Sequence, residues 1–118
     1  MAQPAVGWFE ITGKEGPALQ KFYGDLFAWQ FQDAGREYGM VQASPPGIGG
    51  GIGTAQDGGP GGVTVYVEVD DVAAYLQKAE QLGGKTLMQP VEMPDIKLTF
   101  ALFADPEGHV IGLSKMGA

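Results

Sequence analysis

Apolar and polar residues alternate along Val63-Thr64-Val65-Tyr66-Val67-Glu68-Val69, the clearest period-two run in the chain, which predicts a strand with one buried face. Val72, Tyr75, Leu76 and Ala79 follow at helical spacing. Asp70 or Asp71 stands where a helix is capped, and Gly83-Gly84 where a left-handed turn would stop it. Lys85 to Met93, Ile96 to Phe103 and His109 to Lys115 then predict three strands, with Pro90 marking a bulge or an edge in the first. The same order stands upstream. Val6 to Ile11 reads as a strand and Glu15 to Phe27 as a helix opened by Pro17, whose missing N–H costs nothing in a first turn. Within that helix Leu19, Phe22, Tyr23, Leu26 and Phe27 recur at the spacing of one buried stripe and are expected in the core. Trp29 to Asp33, Tyr38 to Ala43 and Ile48 to Thr54 predict three more strands, the first two closed into a hairpin by Ala34-Gly35-Arg36-Glu37.

A βαβββ pattern therefore occurs twice within one expected domain over 1–118. The modules cover 1–54 and 63–118, joined by a glycine-rich linker over 55–62 that is too polar to bury a core. Each module has one helix to cover one sheet face, so the other face needs a partner. The expected fold class is α+β, with two curved mixed sheets around a shared cleft, valine-rich faces under the helices and the alternate residues lining the cleft. That alternation places Trp8, Glu10 and Thr12 on the cleft side in the first module, and Tyr66 and Glu68 in the second. Met40 and Gln42 share a face on a neighbouring strand. The glycines of Gly49-Gly50-Gly51-Ile52-Gly53 are expected to thin the cleft wall and leave room for a ligand or a second subunit. A phosphate-binding loop is rejected there, because no Lys and Ser or Thr follow the glycines into a helix.

Charge and composition remove several function classes. At 118 residues, 44% hydrophobic and 18% charged, the chain is globular in character and long enough for one core. A net charge of −7 offers no basic stripe for nucleic acid and disfavours anionic membranes. With no cysteine there are no disulfides, thiolate nucleophiles or cysteine zinc sites. No apolar run approaches the roughly 20 residues that span a bilayer, and Met1-Ala-Gln-Pro has no signal-peptide character, so the expected location is the cytoplasm.

Two segments carry a resemblance. Trp8-Phe-Glu-Ile with Leu19-Gln-Lys-Phe-Tyr-Gly-Asp-Leu-Phe-Ala-Trp29, and the ending Phe103-Ala-Asp-Pro-Glu-Gly-His-Val-Ile-Gly-Leu113, resemble the vicinal oxygen chelate superfamily over nearly the whole chain. That superfamily includes glyoxalase I, bleomycin-resistance proteins and extradiol dioxygenases. The resemblance implies a glyoxalase-like fold. It also implies that metal-dependent members would carry a ligand on the first and last strand of each module. Here those positions fall on Trp8, near Gly51, on Thr64 and on Gly112, none of which is a metal ligand. A catalytic metal needs about three His or carboxylate donors, and the chain has one histidine.

The leading expectation is therefore a metal-free protein, without a cofactor, that binds a small planar or cationic organic molecule. Trp8, Glu10, Met40, Gln42, Gly51, Thr64, Tyr66, Glu68 and Gly112 are the candidate ligand-binding residues, with no catalytic and no metal residues among them. Trp8 reads either as a plug filling the metal's space or as a stacking platform. Glu10 and Glu68 read as rim residues or as groups that hold a cation. The resemblance makes sequestration by a homodimer the precedent. The alternative is a glyoxalase-like lyase or isomerase, or a dioxygenase, with a divalent metal in an unorthodox site using Glu10, Glu68 or His109. His109 directly follows a turn glycine and is expected to be solvated.

Overall fold

The computed structural model describes residues 3–116. Its elements run β1 (Val6–Gly13), α1 (Gly16–Phe27), β2 (Phe31–Asp33), β3 (Tyr38–Val41) and β4 (Gly49–Thr54). They continue as β5 (Gly62–Glu68), α2 (Val72–Gln81), β6 (Lys85–Met93), a 3-10 turn (Pro94–Ile96), β7 (Leu98–Ala104) and β8 (Val110–Met116). This is the α+β, twice-βαβββ architecture that the alternation predicts. The chain divides into two compact units, one over Trp8–Thr64 and one from Val65 onward that includes the N-terminal segment ending at Gly7. No helix among the described residues is long and apolar enough to cross a membrane.

In the Trp8–Thr64 unit the strand order is β2-β3-β4-β1. β1 lies parallel to β4, from Trp8 opposite Gly49 to Gly13 opposite Thr54, and β2, β3 and β4 pair antiparallel. Alternation puts Phe9, Ile11, Gly50 and Ile52 on the face beneath α1, where Ile52 is fully buried. The helix begins at Gly16, whose N–H donates to Thr54 Oγ1 at 2.8 Å. The hairpin at its side turns through left-handed Gly35, Arg36 and Glu37. Gln20 Nε2 donates both to Ile52 O at 2.9 Å and to Glu37 O at 3.1 Å, tying helix, sheet and hairpin together.

The expected buried stripe of α1 is rotated in the structure. Gly16, Leu19, Gln20, Tyr23 and Gly24 are the buried or half-buried residues of this helix, whereas Phe22, Leu26 and Phe27 are 59%, 57% and 52% exposed. The physical reason is the approach distance. Glycines at positions 16 and 24 bring the helix backbone close to its neighbours, and Gln20 adds a polar tie to the Ile52 and Glu37 carbonyls on the same side. Close backbone contact therefore decides the docking side, and the larger apolar residues are left outside. Tyr23, Phe27, Trp29 and Phe9 form a connected ring cluster, with Phe27 and Trp29 centroids 4.9 Å apart.

In the other unit the order is β5-β8-β7-β6, with β5 parallel to β8 and the rest antiparallel. Val69, Val72, Leu76, Ala101 and Leu113 form its core, flanked by Val67, Tyr75 and Phe103, so α2 buries the face that its periodicity predicts. Val63 does not share that burial; it is 71% exposed at the start of β5. Asp71 caps α2 by accepting from Ala74 N at 3.0 Å, and Gly83 takes φ +103 just past its end. Pro90 falls in the register shift between Met88 and Val91, the expected bulge. The next strand begins at Leu98 rather than Ile96, because Pro94 opens a 3-10 turn that ends on left-handed Lys97.

The turn before β8 is held by Asp105. Its carboxylate accepts from Glu107 N at 2.9 Å and His109 N at 3.0 Å, and its carbonyl accepts from Gly108 N at 2.8 Å. The His109 backbone N–H, first among these contacts, holds the Asp105 carboxyl below the ordinary carboxylate value. A depressed folded pKa stabilises the turn above the unfolded value of about 4 and stops doing so as pH falls through the lower folded value. Amide exchange at Gly108 and His109 is accordingly expected to speed up in acid beyond its intrinsic pH trend. An Asp105→Asn variant is expected to lose that acid-dependent step; its persistence would assign the step to another group.

Candidate functional site

On the side of the first unit's sheet facing away from α1, alternation gathers Trp8, Glu10 and Thr12 of β1 with Tyr38 and Met40 of β3. Gly49, Gly51 and Gly53 of β4 lie between the two strands. Register explains the gathering: Trp8 sits opposite Gly49, Glu10 opposite Gly51, and Gly51 opposite Met40. Trp8, Glu10, Tyr38 and Met40 are half-buried, and Gln42, beyond the end of β3, is exposed.

Three of these side chains form a hydrogen-bonded row. The indole Nε1–H of Trp8 donates to Tyr38 Oη at 3.3 Å, and that hydroxyl donates to Glu10 Oε2 at 3.1 Å. Tyr38 therefore both accepts and donates, so ring, indole and carboxylate are positioned together. The phenol reaches this place because Gly51 has no side chain. A Cβ built on Gly51 would fall on Tyr38 Oη and Cζ, and one built on Gly49 would meet the Trp8 ring at 3.2 Å. On the other face, the space beside Gly50 holds the Phe9 ring. The glycine run was expected to leave open room; the structure fills it with aromatic rings.

The second module repeats the arrangement with different parts. Tyr66 and Glu68 point away from α2, and Tyr66 lies opposite Gly112 on β8. Tyr66 is buried, and a Cβ on Gly112 would fall within its ring. Glu68 is exposed, its carboxyl group packed over Gly7 so that an added Cβ there would approach it to 2.5 Å. Thr64 is half-buried on β5. His109 joins neither group of residues. It is exposed, and its Nδ1 lies 3.0 Å from Asp105 Oδ2, so it braces the turn.

Tyr38 was missed in the sequence, although the signal for it was present. It precedes Met40 and Gln42 by the same two-residue step that put those two on one face. What alternation alone does not show is its reach over Gly51 to a carboxylate on the next strand but one.

The donor chemistry does not fit the superfamily's catalytic metal. Among the described residues no three His, Cys, Asp or Glu side chains are gathered where they would hold an ion. At the last-strand positions that the resemblance implies, near Gly51 and at Gly112, the place that a Cβ on either glycine would take is filled by a tyrosine ring.

Relatives agree with the architecture. The chain is 32% identical over 82 residues to the putative glyoxylase CFP32 of Mycobacterium bovis, covering 70% of this chain and 31% of that protein. It is 27% identical, over an alignment 143 positions long with gaps, to the anthracycline biosynthesis protein DnrV of Streptomyces peucetius, covering 98% of this chain and 48% of the relative. It thus spans less than half the length of these curated relatives. The solved structure of methylmalonyl-CoA epimerase from Mycobacterium tuberculosis superimposes with a TM-score of 0.70 at 12% identity, covering 100% of this chain and 93% of that one, a likeness of fold. The family model described as Glyoxalase/Bleomycin resistance protein/Dioxygenase superfamily matches residues 5–113, and the chain belongs to that superfamily.

Proposed function

We propose that this protein binds a small planar or cationic organic molecule on the face of the Trp8–Thr64 unit turned away from α1, without a catalytic metal, and sequesters it in the cytoplasm. The observation that carries this reading is the Trp8–Tyr38–Glu10 row: two aromatic groups and a carboxylate pre-positioned by hydrogen bonds. Aromatic faces attract both flat rings and cations, and a neighbouring carboxylate adds to the attraction for a cation. Met40 adds an adaptable apolar contact beside them. The name of DnrV supports the same class, since anthracyclines are planar polycycles. Thermal shift with proflavine, a planar cation, and with an anthracycline aglycone, a planar neutral tetracycle, tests the reading. A compound at 100 times its dissociation constant adds about 2.7 kcal/mol. Trp8→Ala is expected to lower affinity for the bound compound at least tenfold while leaving a cooperative melt. A variant that simply unfolds would make Trp8 a core residue, and a broad planar panel without a hit would contradict the binding reading.

The functional unit we propose is a homodimer formed through the outer flank of α1. Phe22, Leu26 and Phe27 are exposed there, beside a Lys21–Asp25 ion pair at 2.7 Å. A two-fold contact sets Lys21 of each copy near Asp25 of the other, so the flank is self-complementary in charge as well as apolar. The occupant argued for is a second copy, because about half of DnrV lies outside the matched region, room for a second unit of the same length. Sedimentation is expected to show a dimer that Phe22→Glu with Leu26→Glu converts to a folded monomer. A wild-type monomer at every accessible concentration would contradict this.

A further inference from the structure

We infer that Tyr38 and Tyr66 have taken over the two last-strand ligand positions, so that each phenol ring, and not merely the lack of a carboxylate, excludes a metal from its half of the chain. The inference does not depend on any organic ligand and stands or falls separately from the binding reading above.

The two halves reach the same result by different routes. In the first, Tyr38 lies directly opposite Gly53 on β4 and leans across to Gly51, two residues along the strand. Diagonal neighbours of this kind lie within reach of an aromatic side chain. Its hydroxyl is then fixed by Trp8 and Glu10, both from β1 on the far side of β4. In the second, Tyr66 lies directly opposite Gly112 on the parallel neighbour, and its ring carbons Cδ2 and Cε2 take the place of the missing Cβ. One tyrosine comes from an antiparallel neighbour of the last strand and the other from a parallel one. Identical geometry was therefore not copied between the halves. What they share is a ring laid on a bare glycine, which restores to the strand the side-chain contact that glycine lacks.

A carboxylate restored at either glycine would have nowhere to put its first carbon. Changing the glycine alone forces the ring out of a position held on several sides, and overpacking of this kind is destabilising. Removing the ring alone leaves no donor at the glycine. Regaining a carboxylate ligand on the last strand therefore requires two coupled changes in each half, the glycine and the tyrosine.

A double-mutant cycle tests this. Gly51→Ala is expected to lower the melting temperature by roughly 5–15 °C, and the same substitution in a Tyr38→Ala background by less than half as much. Gly112→Ala and Tyr66→Ala are expected to couple in the same way. For the metal, Trp8→His with Gly51→Glu is expected to take up no zinc or nickel by calorimetric titration while Tyr38 is present. Adding Tyr38→Ala is expected to yield measurable uptake, with the introduced imidazole, the introduced carboxylate and the native Glu10 as donors. A Gly51→Ala protein that fails to fold, rescued by Tyr38→Ala, supports the inference. It is overturned if Gly51→Ala costs as much without the ring as with it, if both of those proteins fail to fold, if metal binds with Tyr38 intact, or if the ring-deleted variant takes up none.

Discussion

Gly16→Ala is expected to destabilise the protein by about 3 kcal/mol, read as a shift in the urea midpoint. The sign is the informative part, because two effects compete. Alanine is favoured over glycine inside a helix by about 1 kcal/mol, so an open position would make the substitution stabilising. Gly16 is not open. A Cβ there would meet Gly53 C at 2.6 Å and Glu37 O at 2.7 Å, with Thr54 N closer still. All three are backbone atoms of β4 or of the hairpin, so no side-chain rotation relieves the contact. To admit the methyl group, α1 must lift away from β4. That lengthens the Gly16–Thr54 hydrogen bond and pulls Gln20 from the Ile52 carbonyl. Ala18, two residues on and exposed, provides the control: Ala18→Gly is expected to cost only the propensity difference of about 1 kcal/mol. A Gly16→Ala protein at least as stable as the parent would show that the helix does not dock this closely.

Ile52→Ala is expected to cost about 2–5 kcal/mol, against less than about 0.5 kcal/mol for Leu26→Ala. Ile52 is the largest side chain among the described residues that is fully buried, and it lies on the face of β4 beneath α1. Its truncation removes apolar contacts and leaves a cavity under a helix anchored at Gly16 and Gln20, which limits collapse around it. Leu26 is 57% exposed on the outer flank of that helix. Periodicity alone places Leu26 in the core, so the pair of measurements decides between the two orientations of α1. Chemical denaturation of both variants is sufficient, provided Leu26→Ala is measured at a fixed protein concentration, since the proposed dimer would add its own linkage.

The fold was largely legible because its signals were local. The alternation from Val63 to Val69, the Asp71 cap, the Gly83 stop and the Pro90 bulge each depend on neighbours within a few residues, and the structure reproduces each with small changes of boundary. Orientation was legible where a strand face was at stake, because a two-residue period leaves only two choices. Trp8, Glu10 and Met40 are on one face as expected. The orientation of α1 was not legible, because helical periodicity identifies the most apolar side and docking chose the side where Gly16 and Gly24 allow close backbone approach. The glycines of β4 were misread for a related reason. A glycine in sequence signals missing volume, and only the three-dimensional register shows that Phe9, Tyr38 and Trp8 occupy it. Tyr38 itself shows the same limit: its parity was readable, whereas its partners lie 28 and 30 residues away in the chain.

The central claim is that recognition rests on Trp8, Tyr38 and Glu10 rather than on an ion. A Trp29→Phe protein leaves Trp8 as the sole indole, so its emission reports directly on this surface. Titrating that protein with proflavine, an anthracycline aglycone, zinc and nickel is the most direct measurement. The account predicts saturable quenching by at least one planar compound at one site per chain, weakened about tenfold, or 1.4 kcal/mol, by Tyr38→Phe, with no saturable response to either metal. Stoichiometric zinc or nickel binding that alters Trp8 emission, with the planar compounds inert, would contradict it.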